Sequence, residues 1–173
     1  MAEKPIEAAQ RLVKQYATRD PFAIAKALDI EVLGRSDFVR QKGAFCTVLN
    51  RKFIFINDNM SDELKRIVCA HELGHALLHG KIAKAGLLEF ELFDVSSRLE
   101  YDANLFAATL LIDESDLKDC ILNGYDAVQA ARALGTNANL VLIRLGELNM
   151  SGIRTGSKPK NDFLGTVQDN ADF

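Results

Sequence analysis

The stretch Ser61-Asp62-Glu63-Leu64-Lys65-Arg66-Ile67-Val68-Cys69-Ala70-His71-Glu72-Leu73-Gly74-His75-Ala76-Leu77-Leu78-His79-Gly80 decides how the rest of the chain is read. Ser61 is placed to accept a backbone N–H at a helix start, and Asp62 and Glu63 put negative charge where the helix dipole favours it. Gly80 is a usual residue just past a helix end. The spacing therefore predicts one long helix from Asp62 to about His79. Leu64, Ile67, Val68 and Leu78 share a stripe with His71 and His75, so these two imidazoles face the interior. All three histidines of the 173-residue chain, His71, His75 and His79, lie on this helix.

Residues four apart stand one turn apart on the same face, so His71 and His75 can hold one ion in a chelate. Glu72 is turned by about 100° from His71, too far to share its direction but near enough to reach a water on that ion. Zinc brings the pKa of such a water toward ~7, and a carboxylate beside it can take the proton as a carbonyl is attacked. The plainer alternative is two core histidines satisfied by hydrogen bonds. Unpartnered buried imidazoles are costly and a metal removes that cost, so the inward orientation favours a metal. His79 shares the face but lies one turn too far for the same ion, which gives it a supporting or structural role. Gly74 leaves room for a close approach to the helix.

Upstream, residues 6–17 carry Ala9, Leu12, Val13 and Tyr16 in an amphipathic helical pattern. Asp20-Pro21 reads as a cap and a first-turn proline, opening a second short helix through Leu28. Strands are expected over 30–33, ending at Gly34, and over 44–49 and 53–56, the last two joined by a turn at Asn50-Arg51-Lys52. Downstream, residues 81–97 read as a loop with a short helical or extended piece. Helices are expected over 99–112, from Asp113-Glu114-Ser115 onward, over 127–134 and over 137–148, with a break at Asn123-Gly124. After Asn149 the composition turns to Gly, Ser, Lys, Asn and Asp, so residues 150–173 read as a flexible tail.

A catalytic zinc site takes a third protein ligand and keeps one position open. No histidine remains, so that ligand must be a carboxylate or a cysteine. In Leu99-Glu100-Tyr101-Asp102-Ala103-Asn104-Leu105-Phe106-Ala107 the apolar stripe is Ala103, Phe106 and Ala107, continued by Leu110 and Leu111. Glu100 and Asn104 border this stripe one turn apart, whereas Asp102 points away from it. From spacing alone Glu100 stays open between a ligand and an ordinary first-turn acid, and Asn104 could steady a ligand through a hydrogen bond. Cys46 is a competing ligand, because peptide deformylases pair an upstream cysteine with HExxH. The glycine-rich stretch of those enzymes is missing here, and Cys46 reads as an alternating strand residue. Cys69 lies ~160° round the helix from His71 and cannot reach the same ion.

The run from His71 to His79, followed by Glu100-Tyr101-Asp102-Ala103-Asn104-Leu105-Phe106-Ala107-Ala108 and Leu110-Leu111, closely resembles the ImmA/IrrE family of metallo-endopeptidases. Ile54-Phe55-Ile56-Asn57 and the opening Asp20-Pro21-Phe22 with Ile24-Ala25 are similar to that family too. The likeness spans roughly residues 8–148. It implies a gluzincin-like site, with zinc (Zn2+) on His71, His75 and a glutamate that maps onto Glu100, and with Glu72 as catalytic base. The element pattern gives an α+β fold, a small three-stranded sheet packed beside a helical core that the resemblance makes zinc-peptidase-like, over residues 1–149, closed by a helix-turn-helix-like pair over 123–149. The substrate implied is a regulatory protein, such as a helix-turn-helix repressor of a mobile element or stress response. A proline often follows the Leu-Leu pair in the family; Ile112-Asp113 stands there instead.

The 48% hydrophobic and 26% charged composition is that of an ordinary soluble globular chain, and a net charge of −3 gives no general pull toward nucleic acid or anionic membrane. No apolar run spans a bilayer, and the polar start is unlike a signal segment. Three cysteines, Cys46, Cys69 and Cys120, without paired spacing fit free thiols in a reducing, cytoplasmic setting. The C-terminal pair offers only Arg144 as a cation on its second helix and carries Glu147, too little for phosphate neutralisation, so it reads as a packing unit and not a DNA reader. The alternative of another class is an antitoxin-like or sensor module whose metal site is structural or regulatory. Glu72 argues for the enzyme, since a purely structural site has no use for a base beside the ion.

Overall fold

The computed structural model describes residues 4–80 and 95–148. Pro5 and Pro21 each stand in the first turn of a helix, where a missing N–H costs nothing. They open α1 (Pro5–Tyr16) and α2 (Pro21–Ala27), and Asp20 accepts from the Phe22 N–H at 3.0 Å. The strands are β1 (Ile30–Arg35), β2 (Gly43–Val48) and β3 (Arg51–Asn57). Their order is β1-β3-β2, with β1 parallel and β2 antiparallel to the central β3; Ile54 faces Val32 on one side and Phe45 on the other.

The hairpin differs from its expected form. Val48 pairs with Arg51, so Arg51 and Lys52 belong to β3 and the turn is Leu49-Asn50 alone. Both have positive φ, 48° and 65°, the two-residue turn whose twist matches that of the strands. Asn50 favours that conformation but Leu49 does not, and a left-handed leucine leaves no trace in a sequence pattern. β1 likewise continues past Gly34 to Arg35.

Helix α3 (Asp62–Leu78) starts where Ser61 accepts from the Leu64 N–H, and His79 is its C-cap. Helix α4 (Val95–Leu111) begins four residues before the expected Leu99. Its first turn, Val95-Ser96-Ser97, is mostly polar, and the apolar period that marks the helix in sequence starts only later. Glu100 therefore lies beyond the first turn, where the helix dipole no longer accounts for an acid. α4 ends at Leu111 without the proline common in the family, because Asp113 caps α5 (Glu114–Leu122) by accepting from the Ser115 N–H at 2.9 Å. Then come α6 (Ala127–Ala133) and α7 (Ala138–Glu147). The expected loop lies outside the described residues over 81–94, as does the expected tail over 150–173.

The architecture is α+β. α3 packs against the sheet on one side and α4 on the other, while α1 and α7 cover the far side of α4. A helix between two layers must be apolar nearly all round, and Ile67, Val68, Cys69, Ala70, Leu73 and Ala76 are all buried. Phe106 reaches Gly74 of α3, and Leu110, Leu12 and Leu140 are fully buried in the same core. No helix among the described residues is long and apolar enough to cross a membrane.

Candidate metal centre

Two adjacent helices supply the polar groups, and Gly74 lets them come close. A Cβ there would lie 3.2 Å from the Ala103 Cα and carbonyl oxygen and 3.2 Å from Phe106 Cδ1, so the room foreseen at Gly74 is taken by the backbone of α4. This approach sets Glu100 against the imidazoles of α3. Glu100 Oε2 is 3.2 Å from His71 Nε2, and Oε1 is 3.2 Å from His75 Nε2. The two Nε2 atoms are 3.0 Å apart, with the rings nearly perpendicular at 79°. One donor atom from each of His71, His75 and Glu100 lies within 4.8 Å of the others.

The buried His71 is oriented from behind. Its Nδ1 is 2.9 Å from Oδ1 of Asn104, a residue with no exposed surface. An amide oxygen only accepts, so His71 Nδ1 carries the proton and Nε2 presents a lone pair to the other two groups. Burial pushes the Glu100 carboxyl up, but the His71 and His75 imidazoles outweigh it and hold the group well below the usual carboxylate range. Two imidazole nitrogens and an ionised carboxylate thus converge on one point, a donor set that a divalent cation satisfies and that has little else to balance it.

Glu72 leaves the same helix toward β2. Its Oε1 occupies space opened by Gly43, where a Cβ would lie 3.0 Å from that oxygen and 2.4 Å from Val68 Cγ1. Burial raises its pKa to about 7; His75 and a backbone hydrogen bond from Phe45 pull downward, and Glu100 pushes upward. A carboxyl poised there can take and return a proton near neutral pH. β2 is held in place through the buried Asn57, whose Nδ2 donates to the Phe38 and Gln41 carbonyls at 3.0 Å each.

His79 stands outside the cluster. Its Nδ1 is 3.3 Å from His75 Nδ1, and its Nε2 is 3.9 Å from the Asp102 carboxylate. Burial, with His75 adding, lowers its pKa to about 4, so it is a neutral ring that can accept from His75. Asp102 is half-buried, which raises its pKa, and it does not join the donor set. Tyr101 donates its hydroxyl to Glu147 Oε1 at 2.8 Å, tying α4 to α7. Cys69 and Cys120 are buried thiols and Cys46 is half-buried in β2; none joins the donor set among the described residues.

The model of the IrrE N-terminal-like domain, a peptidase family, matches residues 25–146. The chain belongs to this family. Among similar proteins, an uncharacterized immunity region protein 2 of Bacillus phage phi105 is 36% identical over 107 residues, 62% of this chain and 67% of that protein. The metallopeptidase ImmA of Bacillus subtilis is 25% identical over 126 residues, 70% of this chain and 72% of that protein. Family membership and the His71-His75-Glu100 geometry together point to a metal-dependent peptidase. The matched region takes in almost all of α7, which is a core helix here: Leu140 to Leu145 are all buried, Arg144 included at 4% exposure.

Proposed function

We propose that the chain is a zinc endopeptidase, with the ion held by His71, His75 and Glu100 and with Glu72 as general base, acting on a regulatory protein such as a helix-turn-helix repressor. The observation that carries this reading is the convergence of two imidazole nitrogens and one carboxylate, the first steadied by Asn104, beside a second carboxyl whose pKa lies near neutrality. A structural site would close all four positions with protein groups, whereas the described residues bring together three donors and leave one position open.

The ion, when bound, supplies Lewis acidity toward a water and toward a peptide carbonyl. Glu72 takes a proton from the water as its oxygen adds to the carbonyl carbon, then delivers that proton to the amide nitrogen as the C–N bond breaks. Gly43 keeps the space Glu72 needs, and the Phe45 N–H steadies its charged form. Among the described residues β2 is an edge strand, and an extended substrate backbone adding there would run along the strand that faces Glu72. The metallopeptidase and phage immunity-region relatives support a peptidase that acts in phage immunity, and the resemblance of the His71–His79 and Glu100–Leu111 motifs to the ImmA/IrrE family supplies the regulatory protein as substrate class.

The test is Glu72→Gln, with the product of the neighbouring gene as candidate substrate and a chelator as control. The variant should keep its zinc and lose cleavage by at least ~100-fold. Normal cleavage by the zinc-loaded variant would remove Glu72 from the mechanism.

A further inference from the structure

Thr109 lies nine residues beyond Glu100 on α4, roughly 13 Å further along the helix, and borders a second polar place. There α1, α4, α5 and α7 enclose a hollow of about 220 Å³ whose lining includes Lys14, Arg19, Thr109, Asp113, Glu114 and Arg144. Arg144 is 4% exposed and Thr109 is 2% exposed. Neither Arg144 Nε nor Thr109 Oγ1 has a hydrogen-bond partner among the described residues. An unsatisfied donor on a buried cation is costly, and burial lowers the Arg144 pKa despite the neighbouring Glu114.

The carboxylates at this place already accept from other groups, and neither reaches Arg144 within ion-pair distance among the described residues. Asp113 accepts from Arg19 at 2.5 Å and from the Ser115 backbone and hydroxyl. Glu114 accepts from Lys118 at 2.6 Å. Arg19 also donates to the Thr109 and Leu110 carbonyls at 3.0 Å each, which fixes its guanidinium at the edge of the hollow. Three cations therefore face a space smaller than the ~300 Å³ at which sites for drug-sized ligands begin. Guanidinium groups match tetrahedral oxyanions better than any other side chain.

We propose that this hollow binds a phosphate-type oxyanion, free or as the end of a phosphate monoester, through Arg144 and Arg19 with the Thr109 hydroxyl donating. Such an anion would tie α1, α5 and α7 to the far end of the helix that carries Glu100. The inference does not depend on the peptidase reading.

The test titrates the full, metal-loaded chain with inorganic phosphate, and separately with phosphoserine, against sodium chloride at matched ionic strength. The readouts are thermal midpoint and phosphorus-31 line width. Phosphate should raise the midpoint saturably where chloride does not; a response to phosphoserine assigns an ester site, and a response to inorganic phosphate alone assigns a free-ion site. Arg144→Met should weaken the phosphate response by roughly tenfold or more, without lowering the midpoint in its absence, because a desolvated guanidinium with an unsatisfied Nε–H is removed. Thr109→Val, which removes only the unpartnered hydroxyl, should also weaken it and decides the matter if Arg144→Met does not fold. Equal effects of phosphate and chloride, or an undiminished response in Arg144→Met or Thr109→Val from an adventitious ion only or from phosphate at the metal centre, would overturn the proposal.

Discussion

Asn104 shows how much a single buried amide does for the candidate centre. It has no exposed surface, and its oxygen fixes which His71 nitrogen is protonated. Asn104→Ala should therefore leave His71 free to change tautomer and ring angle, weakening zinc affinity by about 10–100-fold, as losses behind a ligand generally do. A competition titration against a zinc chelator measures this, and unchanged affinity would show that the hydrogen bond is incidental. The role was partly legible: Glu100 and Asn104 lie one turn apart at the edge of the α4 stripe, so both could face α3. What spacing left open was whether Glu100 reaches the histidines, because that depends on a helix–helix distance set by Gly74 and Ala103. Contacts across two helices have no period in one sequence.

At the scale of elements, the close crossing of α3 and α4 is the feature on which the site's geometry rests. Gly74→Ala would improve helix propensity by roughly 1 kcal/mol. The added methyl would meet the Ala103 backbone at 3.2 Å, a neighbour that can yield only if the helices part. The net result should be destabilisation of about 1–3 kcal/mol in urea unfolding, with weakened zinc retention because Glu100 moves with α4. A stabilised variant with full zinc would mean that the helices do not pack this closely. Several element boundaries were readable because their caps are chemical: Asp20, Ser61 and Asp113 each accept a backbone N–H where a cap was needed, and Asp126 and Asn137, not read as caps, do the same for α6 and α7. The boundaries that were misread lacked such a mark. Leu49 adopts a left-handed turn against its own preference, and the polar first turn of α4 carries no apolar period.

For the whole molecule, acid stability offers a check on how the far side of the fold is held. Ser115, through its hydroxyl and its backbone N–H, and Arg19 hold the Asp113 carboxyl down at about 2, against an ordinary value of 3.8. A depressed carboxyl adds stability that is fully present above its unfolded pKa and disappears as pH falls through its folded one. Wild type should thus lose stability relative to Asp113→Asn between about pH 4 and pH 2, with the asparagine still able to cap α5. Parallel denaturation curves of the two across that window would show that Asp113 is not held by these partners. The most direct measurement on the centre itself is X-ray absorption at the zinc edge of the metal-loaded chain. The expected spectrum has two imidazole nitrogens at about 2.0–2.1 Å with the remaining ligands oxygen, as His71, His75 and Glu100 require. A sulfur scatterer near ~2.3 Å, or fewer than two imidazoles, would contradict the assignment.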